Sequence, residues 1–310
     1  MTQPIFPIAD LHTILPELYI CGAAFALLMA DLFIDAKRRA LIHFLAIAVL
    51  IAAAMITIRD MAVLSTTAFS GMFVRDLIAD VLKIAVYCVT AFSFIYAKPY
   101  LQERGLFKSE FYVLCLFAVL GMMLMISAGN LTVLYLGLEL VALSSYGLVG
   151  MDRDNPIASE AAMKYFVLGA IASGLLLYGM SMLYGATGSL QLESIYAAAS
   201  QTESPYMFKL GVVFILAGIA FKFGAAPFHM WLPDVYQGAP TPVAGYLSTA
   251  SKAAGFAVIL RLFFVAFPEF SGVWTMVFAV LAAVSMTVGN LLALPQTNIK
   301  RLLAYSSISH

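Results

Sequence analysis

The chain has 310 residues, of which 63% are hydrophobic and only 11% charged, far below the roughly 25% charge of a soluble domain. Seventeen basic and seventeen acidic residues cancel to a formal net charge of zero, which argues against a nucleic-acid partner or a polybasic lipid anchor. The composition is that of a polytopic membrane protein whose solvent is the lipid bilayer.

The N-terminus, "MTQPIFPIADLHTILPELY", lacks a basic stretch followed by a short apolar core, so it is not a cleavable signal and the first helix is expected to stay. A span needs about 20 apolar residues. Segments of that kind fall near 14–34, 40–58, 72–97, 111–128, 131–150, 160–184, 207–238 (interrupted), 241–267 and 271–293. A tenth opens near 297. Its sequence, "TNIKRLLAYSSISH", reads as the opening turns of a helix, and the chain is expected to be incomplete at its C-terminus. The three cysteines, Cys21, Cys88 and Cys115, fall singly within apolar segments. They read as packing residues, with neither a disulfide nor a metal site implied.

Lysines and arginines in alternate loops set the orientation. One set holds Lys37, Arg38, Arg39, Lys98, Arg104, Lys108, Arg153, Lys300 and Arg301; the other holds Arg59, Arg75 and Lys209. The first set belongs in the cytoplasm and the N-terminus outside. There is also an internal echo. "GNL" recurs at 129–131 and 289–291, and "ELVALSS" at 139–145 aligns loosely with "KRLLAYSS" at 300–307. An odd number of spans separates the copies, so the second would enter from the opposite face, as in the inverted repeats of transporters.

Five basic residues, Lys83, Lys164, Lys222, Lys252 and Arg261, lie inside expected spans, where an uncompensated charge is unfavourable. Lys83 has Asp76 and Asp80 on its own helix, and a local ion pair accounts for it; a proton role is the other reading. Arg261 is near a helix end, where it can snorkel to the interface. Glu139 is different, because its segment "LTVLYLGLELVALSSYGLV" offers no basic residue. Its charge survives only with a partner from another helix. Ser144, Ser145 and Tyr146 follow and can hydrogen-bond across helices or hold water.

"FKFGAAPFHMWLPDVYQGAPTPV", residues 221–243, places Lys222 just before Gly224 and Pro227. The proline removes the amide that would bond the carbonyl of Phe223, so the helix should break there. A broken span is tolerated where its carbonyls are buried in protein or line a hydrated cavity, and those carbonyls can solvate an ammonium. His229, seven residues after Lys222, would share its face on a continuous helix; it can relay a proton or bond a loose carbonyl. Lys252 lies among small residues (Ser248, Ala250, Ser251, Ala253, Ala254, Gly255) that let helices approach closely. Lys164 can answer to Glu160 at i−4 or to Glu139. One carboxylate and several lysines over successive spans form a proton relay: burial favours a neutral amine, a nearby carboxylate favours the ammonium, and changing that carboxylate switches the lysine between holding and releasing a proton.

The stretch "FKFGAAPFHMWLPDVYQGAPTPVAGYLSTASKAAGFAVILR", with "DRDNPIASEAAMKYFVLGAIASGLLLYGMSMLYGATGS", closely resembles the subunit N family of bacterial NADH:quinone oxidoreductase, respiratory complex I. The resemblance runs from about 127 to 310, and over the first hundred residues is one of general pattern. It implies an all-α polytopic membrane protein of antiporter-like fold, with inverted five-helix repeats and a proline-broken helix, the second repeat truncated in this chain. The implied division is 1–110 for three N-terminal transmembrane helices and a loop, 111–267 for the first repeat and 268–310 for the start of the second. Glu139, Lys222 and Lys252 match the family's proton-transfer chain, and Lys164 falls on a family lysine. The resemblance further implies a bacterial inner-membrane location and, as partners, the other membrane-arm subunits and protons. No cofactor is implied in this chain, since NADH, FMN, iron–sulfur clusters and quinone are held by other subunits; the chain itself has no G-x-G-x-x-G fingerprint and no cysteine cluster. Two other readings remain open: a multi-subunit cation/proton antiporter subunit with the same broken-helix lysine, and a non-conducting structural subunit.

Overall fold

A computed structural model describes residues 8–34, 40–61, 64–199 and 204–310. The chain forms two compact units, Met1–Leu148 with Thr249–Val258 and Val149–Ser248 with Ile259–His310. Helix dominates both, because in lipid every backbone amide and carbonyl must find its partner within the protein.

The first unit contains α1 (Ile8–Thr13), α2 (Leu15–Asp31), α3 (Ala40–Arg59), an antiparallel hairpin of β1 (Thr66–Ala68) and β2 (Phe73–Arg75), α4 (Leu77–Glu103), α5 (Glu110–Ile126) and nearly all of α6 (Leu131–Val149). Thirteen of the 17 residues of α5 are buried, and α2, α3 and α4 pack on it. It is therefore the core helix of this unit. A Cβ on Gly121 would stand 2.7 Å from the carbonyl oxygen of Gly137, and one on Gly137 equally close to that of Gly121. Helices α5 and α6 thus cross at backbone contact, which larger side chains would block.

The hairpin corrects one boundary. The span expected from residue 72 begins at Leu77 instead, behind Asp76, whose carboxylate accepts the Ala79 amide at 2.8 Å in the usual manner of an N-cap. The outer edge of β2 is covered: the Val74 amide donates to Ser127 O at 2.8 Å and the Gly129 amide to Met72 O at 2.9 Å. The tip is tied down by the Phe69 amide, which donates to Asp10 Oδ2 at 2.9 Å.

The second unit contains α7 (Pro156–Thr187), α8 (Leu192–Ala199), α9 (Pro205–Phe223), α10 (Trp231–Gly238), the first turns of α11 (Thr241–Ile259), a π-helical stretch Leu260–Ala266 that holds Arg261, a 3₁₀ turn Pro268–Phe270, α12 (Ser271–Ala293) and α13 (Ile299–Ser309). Helix α7 overruns its expected limits of 160 and 184 because its stop signals lie outside the apolar window: Asn155 caps it by accepting the Ile157 amide at 3.1 Å, and Gly188 ends it at φ 70°. It packs along α9, while α10 rests on α7 and α13, and α12 on α13.

Seven described helices are long and apolar enough to cross a membrane: Ala40–Arg59, Leu77–Glu103, Leu131–Val149, Pro156–Thr187, Pro205–Phe223, Thr241–Ala266 and Trp274–Ala293. They coincide with seven expected spans. Helices α2 and α5, at 17 residues each, occupy two more; at a rise of 1.5 Å per residue each covers roughly 25 Å. Of the basic residues used for orientation, Lys37, Arg38 and Arg39 lie outside the described residues. Arg75 is not a loop charge at all, since its side chain is 5% exposed and paired with Asp80.

Candidate functional site

The break expected between residues 207 and 238 is present, and it starts at the glycine. Helix α9 stops at Phe223, and Gly224 takes a left-handed conformation (φ 72°, ψ 29°). Its amide and that of Ala225 turn back onto Phe221 O and Ala220 O, each at 2.9 Å, a C-terminal turn that glycine adopts without steric penalty. A side chain there would also strike Leu232, whose Cδ1 stands 2.8 Å from the Cβ position. Pro227 follows in the turn, and α10 resumes at Trp231.

The gap is fastened by side chains from elsewhere in the unit. The Trp231 indole donates to Phe221 O at 2.9 Å and stacks on Tyr165 of α7, with ring centroids 4.6 Å apart and planes at 9°. The Ala226 amide donates to Ser285 Oγ of α12 at 2.9 Å. Lys222 is next to last in α9, in the turn where helix carbonyls favour a cation. The carbonyl of Phe221, one turn before the break, accepts from both Trp231 and the Gly224 amide.

Helix α10 is clamped through one carboxylate. Asp234 Oδ2 accepts from Lys164 Nζ of α7 at 2.8 Å, and Asp234 Oδ1 from Arg301 Nη1 of α13 at 2.6 Å. Arg301 Nη1 also reaches Gln237 Oε1 at 3.0 Å. At the far end of α10, Lys300 Nζ donates to Gln237 O at 3.0 Å and Ala239 O at 2.7 Å. An acid thus sits in the first turn of α10 and an ammonium on its last carbonyls, both matched to the helix dipole. Lys164 also contacts Glu160 at 2.7 Å with 43% of its side chain exposed. Of its two expected partners, Glu160 is therefore present; its second carboxylate is Asp234, which sequence spacing does not reveal.

The other expected site residues fall as follows. Glu139 is half-buried midway along α6, where its charge acts on the hydroxyl of Tyr146, two turns on. The Ser145 hydroxyl, expected to bond across helices, donates to Val141 O of its own helix. Lys252 is half-buried within α11. Glu139 and Lys252 belong to the first unit, and Lys222, Lys164 and His229 to the second. His229 lies in the turn between α9 and α10, so the shared face with Lys222 is not realised: α9 has already ended. Lys83 is also corrected. Its partner is Glu17 of α2, at 2.6 Å, while Asp80 closes on Arg75 and Asp76 caps α4.

Comparison with known proteins agrees with this architecture. A family model described as NADH:quinone oxidoreductase/Mrp antiporter, TM, matches residues 128–310. Among curated proteins, NADH-quinone oxidoreductase subunit N of Thioalkalivibrio sulfidiphilus is 49% identical over 309 residues, covering 98% of this chain and 64% of that protein. Its counterpart from Xanthomonas euvesicatoria pv. vesicatoria is 51% identical over 302 residues, covering 97% and 62%. The chain thus spans a little under two thirds of the length of these relatives. Among solved structures, respiratory complex I from Thermus thermophilus with bound aureothin contains a chain that matches at a TM-score of 0.78 and 35% identity, over 95% of this chain and 62% of that one. A chain of the Mrp complex from Dietzia sp. matches at a TM-score of 0.81 and 23% identity, over 96% and 57%, a likeness of fold alone.

Proposed function

The chain belongs to the NADH:quinone oxidoreductase/Mrp antiporter transmembrane family, and from that premise we propose that it is part of a subunit N of proton-pumping NADH:quinone oxidoreductase, set in the membrane arm in a bacterial inner membrane with its N-terminus on the periplasmic side. Residues 111–267 form the first antiporter-like repeat in this reading and 268–310 the start of the second. The observation that carries it is Lys222 in the last turn of a helix that stops at Gly224, with the gap held by Trp231, Tyr165 and Ser285. Identities of 49% and 51% to subunit N proteins favour this reading over other members of the family.

The chemistry is proton transfer without redox chemistry in this chain. Electron transfer from NADH through FMN and iron–sulfur clusters to quinone takes place in other subunits. A change of charge at Glu139 alters whether Lys222 holds its proton, and Lys222 passes it toward Lys252; His229 serves the turn after the break. Lys164, with 43% of its side chain exposed and held by Glu160 and Asp234, is a further member of the relay. Arg301 and Lys300 keep α10 in place, so that the gap has a fixed geometry.

The test is Lys222→Ala in the assembled complex, with NADH oxidation and the proton gradient measured separately. We expect the complex to assemble and proton movement to fall about a hundredfold, the low end for loss of a positioned proton-transfer group. Oxidation and gradient both at the parent level would remove Lys222 from the relay. The matching family description names the Mrp antiporter as well and supports a second reading, a subunit of a multi-subunit cation/proton antiporter. Sodium-linked proton exchange by the isolated protein in liposomes would support that alternative.

A further inference from the structure

The first unit holds a buried polar track outside the proposed relay. Glu17 Oε1 of α2 lies 2.6 Å from Lys83 Nζ of α4, with side chains 5% and 0% exposed. Neither the ammonium nor either carboxylate oxygen has an aligned hydrogen bond among the described residues, so the contact is charge against charge. The Phe73 ring of the hairpin stands 5.0 Å from Nζ. One turn along α4, the buried Tyr87 hydroxyl is 3.5 Å from Thr57 Oγ1 of α3 and donates to Met123 Sδ of α5 at 3.5 Å. Tyr87 feels the charge of Glu17 as well as those of Asp80 and Arg75. Arg75 Nε in turn bonds both oxygens of Asp80, at 3.0 and 3.2 Å, and its Nη2 bonds Thr57 O at 3.3 Å.

The two ion pairs of this track differ in what they can do. Arg75 and Asp80 are aligned, share two hydrogen bonds and reach the α3 backbone; a guanidinium does not give up its proton in proteins. That pair ties β2 and α4 to α3. A carboxyl and an amine can each exchange a proton, and among the described residues Glu17 and Lys83 have none of the aligned hydrogen bonds that a structural pair normally recruits. A buried ion pair can often be replaced by apolar residues of similar volume without loss of stability, so folding alone does not require this one.

We propose that Glu17 and Lys83 are a second proton-exchanging pair, serving the same translocation from within the N-terminal helices. In the step, an N–H bond of the Lys83 ammonium breaks and an O–H bond forms on Glu17, turning carboxylate and ammonium into carboxylic acid and amine. A proton arriving at the amine restores the ammonium, and the acid releases its own proton to the next acceptor, so one proton passes and the pair returns to its starting charges. The inference rests on the proton-transfer reading above.

The experiment uses the full-length protein in its membrane complex. Glu17→Gln/Lys83→Met keeps the volume and removes both charges, while Lys83→Arg keeps a cation against Glu17 that does not release its proton. Complex content in the membrane is measured beside NADH oxidation and proton movement. Both variants are expected to assemble and to lose proton movement about tenfold or more, a conservative figure for loss of a positioned proton-transfer group. Proton movement at the parent level in either assembled variant overturns the proposal. Infrared difference spectra during turnover give a readout that needs only Glu17→Gln: a carboxylic acid C=O band lost in the variant supports the step, and its absence from the parent protein overturns it. Lys222→Ala separates the two ideas. If it stops proton movement while the pair variants do not, only the Glu17–Lys83 assignment fails; if it also leaves movement intact, the relay reading fails.

Discussion

The buried ion pairs of the first unit and the shared pairs around α10 in the second handle charge in opposite ways. In the first unit, Glu17 lies against Lys83 and Asp80 against Arg75, with side chains no more than 5% exposed. In the second, Asp234 is shared between Lys164 and Arg301, and Lys164 between Asp234 and Glu160, with exposures from 28% to 64%. Where water is absent, each charge must be neutralised by an immediate neighbour. Where water reaches, charges can be shared, and their energies fall to those of surface pairs. Distances of 2.6–2.8 Å occur in both units, so distance alone does not rank them; burial does.

That difference can be broken by substitution. The largest effect is expected from Lys83→Ala, which strands Glu17 in a dry site and should destabilise by about 3–5 kcal/mol in thermal unfolding of the detergent-solubilised protein. Glu17→Gln/Lys83→Met should recover most of that loss. Next comes Trp231→Phe, which keeps the stacking on Tyr165 but removes the indole donor from Phe221 O, whose bond from the Gly224 amide remains, for about 0.5–1.5 kcal/mol; faster amide exchange over residues 224–230 would locate the effect at the break. Lys164→Ala should follow at roughly 0.2–1 kcal/mol and shrink further at high salt. Glu160→Ala should be smaller still, below about 0.5 kcal/mol, because its side chain is 64% exposed and Lys164 keeps Asp234. If Glu160→Ala proves as damaging as Lys83→Ala, burial is not what separates the two units.

The helix break was legible because it depends on residues adjacent in the chain. Gly224 and Pro227 are stop signals within the chain itself, and Lys222 sits just before them. The ion pair within α4 was misread for the same reason. An i−4 carboxylate is a good guess on an isolated helix, but Asp80 faces Arg75 of the preceding strand, and Lys83 finds its carboxylate on α2. Asp234 carries no local signal of its role, since Lys164 and Arg301 come to it from α7 and α13. The shared face of Lys222 and His229 failed because a seven-residue spacing has meaning only on a continuous helix.

By itself the sequence determined that this is a membrane protein, where its helices run and which one breaks, because length, apolar run and backbone chemistry act within a segment. Its likeness to a known family is likewise carried by residues in order. Only the tertiary structure decided which charges neutralise one another and what closes the gap after Phe223, because those energies depend on distance and burial between side chains that chain order does not bring together.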